Sequence, residues 1–178
     1  RILGTVLKQS DADYATLFVI DNTVAHLRET DLVSGSYSKT WEKLYMDDYL
    51  LFHAGVVVGY GLLEIANLKE INEKYGHKMG DIVLSEVGKA MMLFPHDRIL
   101  YPTRMCGDDF AFLLLKKKDQ NRKELSSLLI PKCQAIEKKL GLSTSLDARI
   151  ALVFFQKDGD NSEALYEAAD GLLCGSEK

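Results

Sequence analysis

The order of apolar runs and amphipathic stretches predicts one α/β domain, a sheet flanked by helices. Residues 55–65 are rich in valine and leucine, and near-continuous apolar character of that length suits a central strand buried on both faces. Two further runs, 99–105 and 110–115, flank the polar tetrad Cys106-Gly107-Asp108-Asp109 and read as the arms of a β-hairpin. Around these runs, stretches of helical spacing alternate with strand-like ones as far as Leu173.

The elements follow in order. Residues 1–29 carry a short amphipathic stretch and an apolar run closed by Asp21-Asn22. They are expected to be an N-terminal extension, or the remnant of an upstream region. The first residue is Arg1 and no charged-then-apolar leader follows it, so the sequence reads as a piece of a longer protein. Residues 30–35 are polar and turn-like, and a helix bearing Trp41, Leu44 and Tyr45 follows. After the central strand, Leu68, Ile71 and Tyr75 recur at helical spacing, and Gly76 stands where a helix end favours a left-handed residue. Asp81 is placed to cap a second helix with Val83, Val87 and Met91 on its core face, ending near Pro95. Lys116 to Lys118 read as a solvated strand end. Helical pattern resumes near Asn121, breaks or restarts at Pro131 and stops at Gly141, before a strand at 148–155 and a last helix at 163–173.

Composition narrows the function classes. A chain of 178 residues with 47% hydrophobic content buries one sizeable core. The formal net charge is -4 with the two signs interspersed, so there is no basic stripe to track a nucleic-acid backbone. The three cysteines, Cys106, Cys133 and Cys174, lack the spacing of a zinc site or a disulfide framework, and a reducing, cytoplasmic setting is expected. The apolar run 50–66 contains His53 and Glu64 and falls short of the ~20 residues that a membrane helix needs, so no membrane contact is expected from this segment.

Glu64, Asp108 and Asp109 stand out because each falls at a strand end or in a tight turn rather than on a helix face. Carboxylates projecting together from a strand end and an adjacent hairpin suit a hard divalent cation beside a triphosphate. Each piece has a plainer reading as well. Gly-Asp is a good hairpin turn, Glu64 a solvated strand end, Asn72 a helix-surface amide, and Asp81 an N-cap.

Order and spacing add a family resemblance. The stretch Glu64-Ile65-Ala66-Asn67-Leu68-Lys69-Glu70-Ile71-Asn72-Glu73-Lys74-Tyr75-Gly76-His77-Lys78-Met79-Gly80-Asp81 resembles D-I-D-x-F-K-x-I-N-D-x-x-G-H-x-x-G-D of the GGDEF family. Arg104 with Cys106-Gly107-Asp108-Asp109-Phe110 resembles its R-x-G-G-D/E-E-F block. The resemblance covers residues 30–178. It implies a nucleotidyl-cyclase or palm-like fold, in which helices flank a mostly antiparallel sheet. It also implies a role in cyclic di-GMP signalling. Glu64, the carbonyl of Ile65 and Asp108 would hold Mg²⁺ or Mn²⁺, and Asn72 and Asp81 would read the guanine of GTP. Backbone amides from Ala66 through Asn67 and Leu68 to Lys69 would hold phosphate, and Asp108 and Asp109 would serve the chemistry. The partners implied are GTP, a second GGDEF domain completing the active site, and an upstream sensor or other signalling domain.

Several positions depart from the family pattern. Cys106 replaces the first glycine of the signature, Asp109 is one methylene shorter than the usual glutamate, Ala66 replaces an aspartate, and Glu177 falls where a lysine is usual. The arginine and aspartate of the family's inhibitory product site would fall on Asp97 and Leu100, so feedback at that site is not expected. The resulting expectation is a divergent domain that binds GTP with a divalent ion and cyclises it weakly or not at all. The alternative is an inactive module serving dimerisation or partner regulation.

Overall fold

The computed structural model describes residues 29–53, 58–94, 99–115 and 122–174. The expectations for residues 1–28, for Lys116 to Lys118, for Pro95 and for Glu177 lie outside the described residues. The elements are β1 (Tyr37–Ser38), α1 (Lys39–Phe52), β2 (Val58–Ile65), α2 (Leu68–Tyr75), α3 (His77–Met92), β3 (Leu100–Arg104), β4 (Asp109–Leu115), α4 (Arg122–Leu140), β5 (Ala148–Phe154) and α5 (Ser162–Cys174).

The strands form one sheet in the order β1-β3-β4-β2-β5. Among the pairs of described strands, only β1–β3 is parallel. β2 is an interior strand between β4 and β5, as its unbroken apolar sequence requires, and its side chains alternate between two cores. Leu63 and Ile65 join Phe110, Phe112, Leu114 and Ile150 under α2, α3 and α4. Tyr60 and Leu62 join Ala111, Leu113, Ala151 and Val153 under α1 and α5. The domain is therefore a three-layer sandwich, and each buried phenylalanine contributes about 2 kcal/mol through the apolar area it removes from water. Phe112→Ala in the first core would cost about 3–5 kcal/mol.

Local chemistry sets the helix ends. Ser38 caps α1 by accepting from Trp41 N at 3.2 Å, and Asn161 accepts from Ala164 N at 2.9 Å to open α5. Trp41 is buried as a core position, stacking on Tyr101 at 4.9 Å. Leu44 and Tyr45 point outward.

Two sequence expectations need correction. Asp81 does not cap a helix: α3 begins at His77, and Asp81 is an exposed residue one turn in. Gly76 accounts for this. It has the positive φ expected of it (87°), but its ψ is an extended 154°, because one residue must end α2 and start α3. Its N–H donates to Asn72 O at 2.9 Å and its carbonyl accepts from Met79 N at 2.9 Å. Nor does Pro131 interrupt α4, which runs through it. Leu125, Leu129, Cys133 and Ile136 form one buried stripe across the proline, and burying that stripe outweighs the hydrogen bond lost on the exposed side.

Candidate functional site

The polar ends of β2 and β4 meet the start of α2 at one end of the sheet. The β3–β4 connection is a tight turn in which Asp109 N donates to Cys106 O at 2.8 Å, with Gly107 at φ 49°. The four polar residues thus form the hairpin loop their composition suggests. Ile65 N donates to Asp108 O at 3.2 Å, locking the turn to the end of β2.

An open cleft of about 410 Å³ lies between this turn and α2, lined by Leu68, Lys69, Asn72, Glu73, His77 and Asp108. The first turn of α2 has no side-chain cap, so its leading amides lack the acceptor that a capping residue supplies. The Ala66 amide is not available, because it donates to Asp147 O at 2.9 Å. The Asn67 side chain is also committed, donating to Ser145 O at 2.7 Å and accepting from Asp147 N at 2.8 Å. The engagement of Asn67 is through its side chain, so the expectation for the backbone amides of Asn67, Leu68 and Lys69 is not altered by it, whereas that for Ala66 is.

Asn72 is the unusual polar group in the cleft. Its Oδ1 is buried without a hydrogen-bond partner, and it lies where a Cβ on Gly80 would come within 2.0 Å. Residue 80 must therefore lack a side chain for Asn72 to keep this position. Asp81, beside Gly80, is exposed and does not line the cleft.

The carboxylates divide between two sides of the sheet. Glu64 pairs directly with Asp109 in the ladder and shares the strand parity of Leu62, which places it on the α1 and α5 side. Asp108 lines the cleft on the α2 side. Burial pushes the Glu64 carboxyl above its ordinary range, and the charges of Asp109 and Asp108 push it further. Burial likewise raises Asp109, against a lowering hydrogen bond from Tyr166, with Asp108 adding to the rise. Two crowded carboxylates and a nearby carbonyl are the donor types a hard divalent cation takes. Among the described residues, no three His, Cys, Asp or Glu side chains converge into a ready cage. A cation held here would draw the rest of its coordination from phosphate and water.

Sequence reasoning missed three groups. Arg104 matched a motif, but its task becomes visible only in three dimensions. Its guanidinium donates to the Gly107 carbonyl through Nε at 3.1 Å and Nη2 at 2.7 Å, and to Asp31 Oδ1 at 3.2 Å. Burial alone would raise Asp31, but hydrogen bonds from Ser34 N, Ser34 Oγ and Arg104 outweigh it and hold the carboxyl below its ordinary value. The third group is Tyr166 on α5, whose hydroxyl donates to Asp109 Oδ2 at 2.8 Å.

The sequence model of the family described as "Diguanylate cyclase, GGDEF domain" matches residues 53–177. The chain belongs to the GGDEF domain family. Over 147 residues it is 29% identical to the diguanylate cyclase VdcA of Vibrio cholerae, covering 80% of this chain and 42% of that protein. The chain spans less than half the length of the curated relatives it matches. Among solved structures, a sensory box/GGDEF family protein from Caulobacter crescentus superposes with a TM-score of 0.69 at 22% identity, covering 84% of this chain and 97% of that one. The coiled coil and GGDEF domain of DgcB from the same organism, solved in complex with c-di-GMP, gives 0.71 at 19% identity, covering 99% and 95%. At such identities the structural likeness establishes the fold, a five-stranded sheet flanked by helices. The cleft between the signature turn and α2 is accordingly the candidate site of this GGDEF domain. No helix among the described residues is long and apolar enough to cross a membrane.

Proposed function

We propose that this GGDEF domain acts in cyclic di-GMP signalling by binding GTP with Mg²⁺ or Mn²⁺ in the cleft between the signature turn and α2. Two such domains facing each other would condense two GTP molecules with low turnover. The observation that carries this reading is the unpartnered, buried Oδ1 of Asn72 in a cleft that also holds Asp108 and Lys69. An unpaired buried acceptor costs about 1–3 kcal/mol, a cost relieved when the carboxamide turns outward to meet a ligand donor. Guanine presents N–H donors and acceptors that a carboxamide complements, and Asp81, outside the lining of the cleft itself, would be a second reader only for a base that extends past Asn72 to the first turn of α3.

The division of labour follows from the chain. Lys69 and the leading amides of α2 hold phosphate oxygens, using the positive end of the helix. Glu64 and Asp108 face different sides of the sheet but lie near enough at its end for their charges to interact, and there, with the Ile65 carbonyl, they would hold the divalent ion, which supplies charge neutralisation for the triphosphate. Asp109 is the carboxylate assigned to the attacking hydroxyl, and its short side chain and engaged state support low turnover. The rest of the protein, including an upstream sensor and the partner domain, lies outside this chain.

Calorimetric titration with GTP and Mg²⁺, followed by product analysis for pppGpG and cyclic di-GMP, tests the reading. GTP binding that is lost in Asn72→Ala and Asp81→Ala is the expected result. Absence of heat at millimolar GTP would overturn it. Binding without product would favour a non-catalytic regulatory module acting in dimerisation or partner control.

A further inference from the structure

The departures at the signature turn are in contact with one another. Cys106 Sγ lies 3.5 Å from Asp109 Oδ2 and 3.5 Å from Tyr166 Oη, and Tyr166 Oη donates to the same Asp109 oxygen at 2.8 Å. The cysteine that replaces a glycine, the aspartate that replaces a glutamate and a tyrosine from the last helix thus form a closed triangle. Asp109 is only 9% exposed; its ladder pairing with Glu64 sets it on the α1 and α5 side of the sheet, and it lines neither the cleft beside α2 nor the larger one on its own side. Asp108, its neighbour, does line the nucleotide cleft.

We propose that Tyr166 is a positioning residue that pins the Asp109 carboxylate on the α5 side of the sheet, where the strand register places it, acting as a latch that keeps it from reaching round the end of the sheet to the nucleotide. The latch's effect on turnover rests on the reading of Asp109 given under the proposed function; its existence does not. One carboxylate oxygen accepts both the phenol and the thiol, and a hydrogen bond to a charged acceptor is roughly twice as strong as a neutral one. A glutamate at this position would extend one methylene beyond the triangle. The latch is built to open as well as to close. The Tyr166 ring is half-buried and lines an open cleft of about 620 Å³ between α1 and α5, beside Glu42, Ser162 and Lys43. The ring therefore has room to turn away without leaving a void in the core.

The test uses Y166F, D109A and the double variant, with two measurements that fail independently. The first is thermal unfolding without nucleotide. A formed latch makes the effects non-additive, so that the double variant melts within about 1 °C of the less stable single variant. Additive shifts would overturn the proposal whether or not the domain binds GTP. The second is steady-state condensation of GTP. Y166F is expected to raise kcat about tenfold, the magnitude of one hydrogen bond to a carboxylate, with KM for GTP unchanged. A merely structural tyrosine would lower kcat or raise KM, and either result, or an unchanged kcat in a protein that binds GTP, overturns the withholding role. If neither wild type nor variant binds GTP, the proposed function fails instead, and the unfolding cycle alone decides whether the latch exists.

Discussion

Gly80→Ala separates a role in guanine recognition from a role in folding. An alanine Cβ at position 80 would sit 2.0 Å from Asn72 Oδ1 and 3.0 Å from its Cγ. The side chain of Asn72 must therefore rotate out of its present place. Its terminal amide is the movable partner, so the fold absorbs the change. Within α3 the glycine-to-alanine exchange itself favours the helix by about 1 kcal/mol. Stability is then expected to stay within about 1 kcal/mol of wild type, the helix gain offsetting the displaced carboxamide. Nucleotide binding follows a different course. If Asn72 makes two hydrogen bonds to guanine at about 1 kcal/mol each, losing both weakens GTP about 30-fold. The assay pairs calorimetric GTP titration with thermal unfolding of the same preparation. Wild-type affinity in a stably folded G80A protein would refute the argument that the Asn72 carboxamide reads the base.

Four further outcomes follow from the geometry. Arg104→Ala removes the cationic partner of Asp31, which keeps its bonds from Ser34, and two donors to the Gly107 carbonyl. The expected cost is about 2 kcal/mol, or a fall in Tm of ~4–8 °C by scanning calorimetry. Asp31 sits below its ordinary 3.8 in the fold, so its contribution is present above that value and is lost as pH falls through the folded one. Asp31→Asn should therefore flatten the acid side of the stability profile below about pH 4. Glu64 has the opposite sign: burial and neighbouring carboxylates raise it above 4.5, so its charge opposes folding at neutral pH. Glu64→Gln should raise Tm at pH 7 while weakening Mg²⁺-dependent GTP binding, and the stability gain should fade as pH falls through the folded value and wild-type Glu64 protonates. Cys133 is buried, and burial pushes its thiol up to about 11 from 9.0. At pH 8 it should alkylate at least ~100-fold more slowly than an ordinary thiol, while exposed Cys106 and Cys174 react, as read by mass spectrometry of iodoacetamide adducts.

The fold was largely legible because its strongest signals are periodic. The apolar run that became β2, the paired runs flanking the signature turn and the Val83–Val87–Met91 stripe all carry their burial in their spacing. Local rules failed where one residue serves two elements. Gly76 ends α2 and opens α3 together, so Asp81 was assigned a cap that falls inside the helix. At Pro131 a local breaker was overruled by a core stripe on both sides of it. In the candidate site, Asn72, Leu68, Lys69 and Asp108 come together as their motif order suggests. Tyr166 was illegible because nothing in its own helix distinguishes it. It meets Asp109 only once α5 has been laid across the sheet, 57 positions along the chain.

Arg104 gives the turn a mechanical property that its hydrogen bonds alone do not describe. A guanidinium is a flat plate whose donors are fixed in angle. Here one edge of the plate grips the Gly107 backbone and the other grips Asp31, in the loop just ahead of β1. Two loop segments fastened to one rigid plate behave as a truss, in which displacing one pulls on the other. Whatever moves the segment before β1 therefore also pulls on the tip of the signature hairpin.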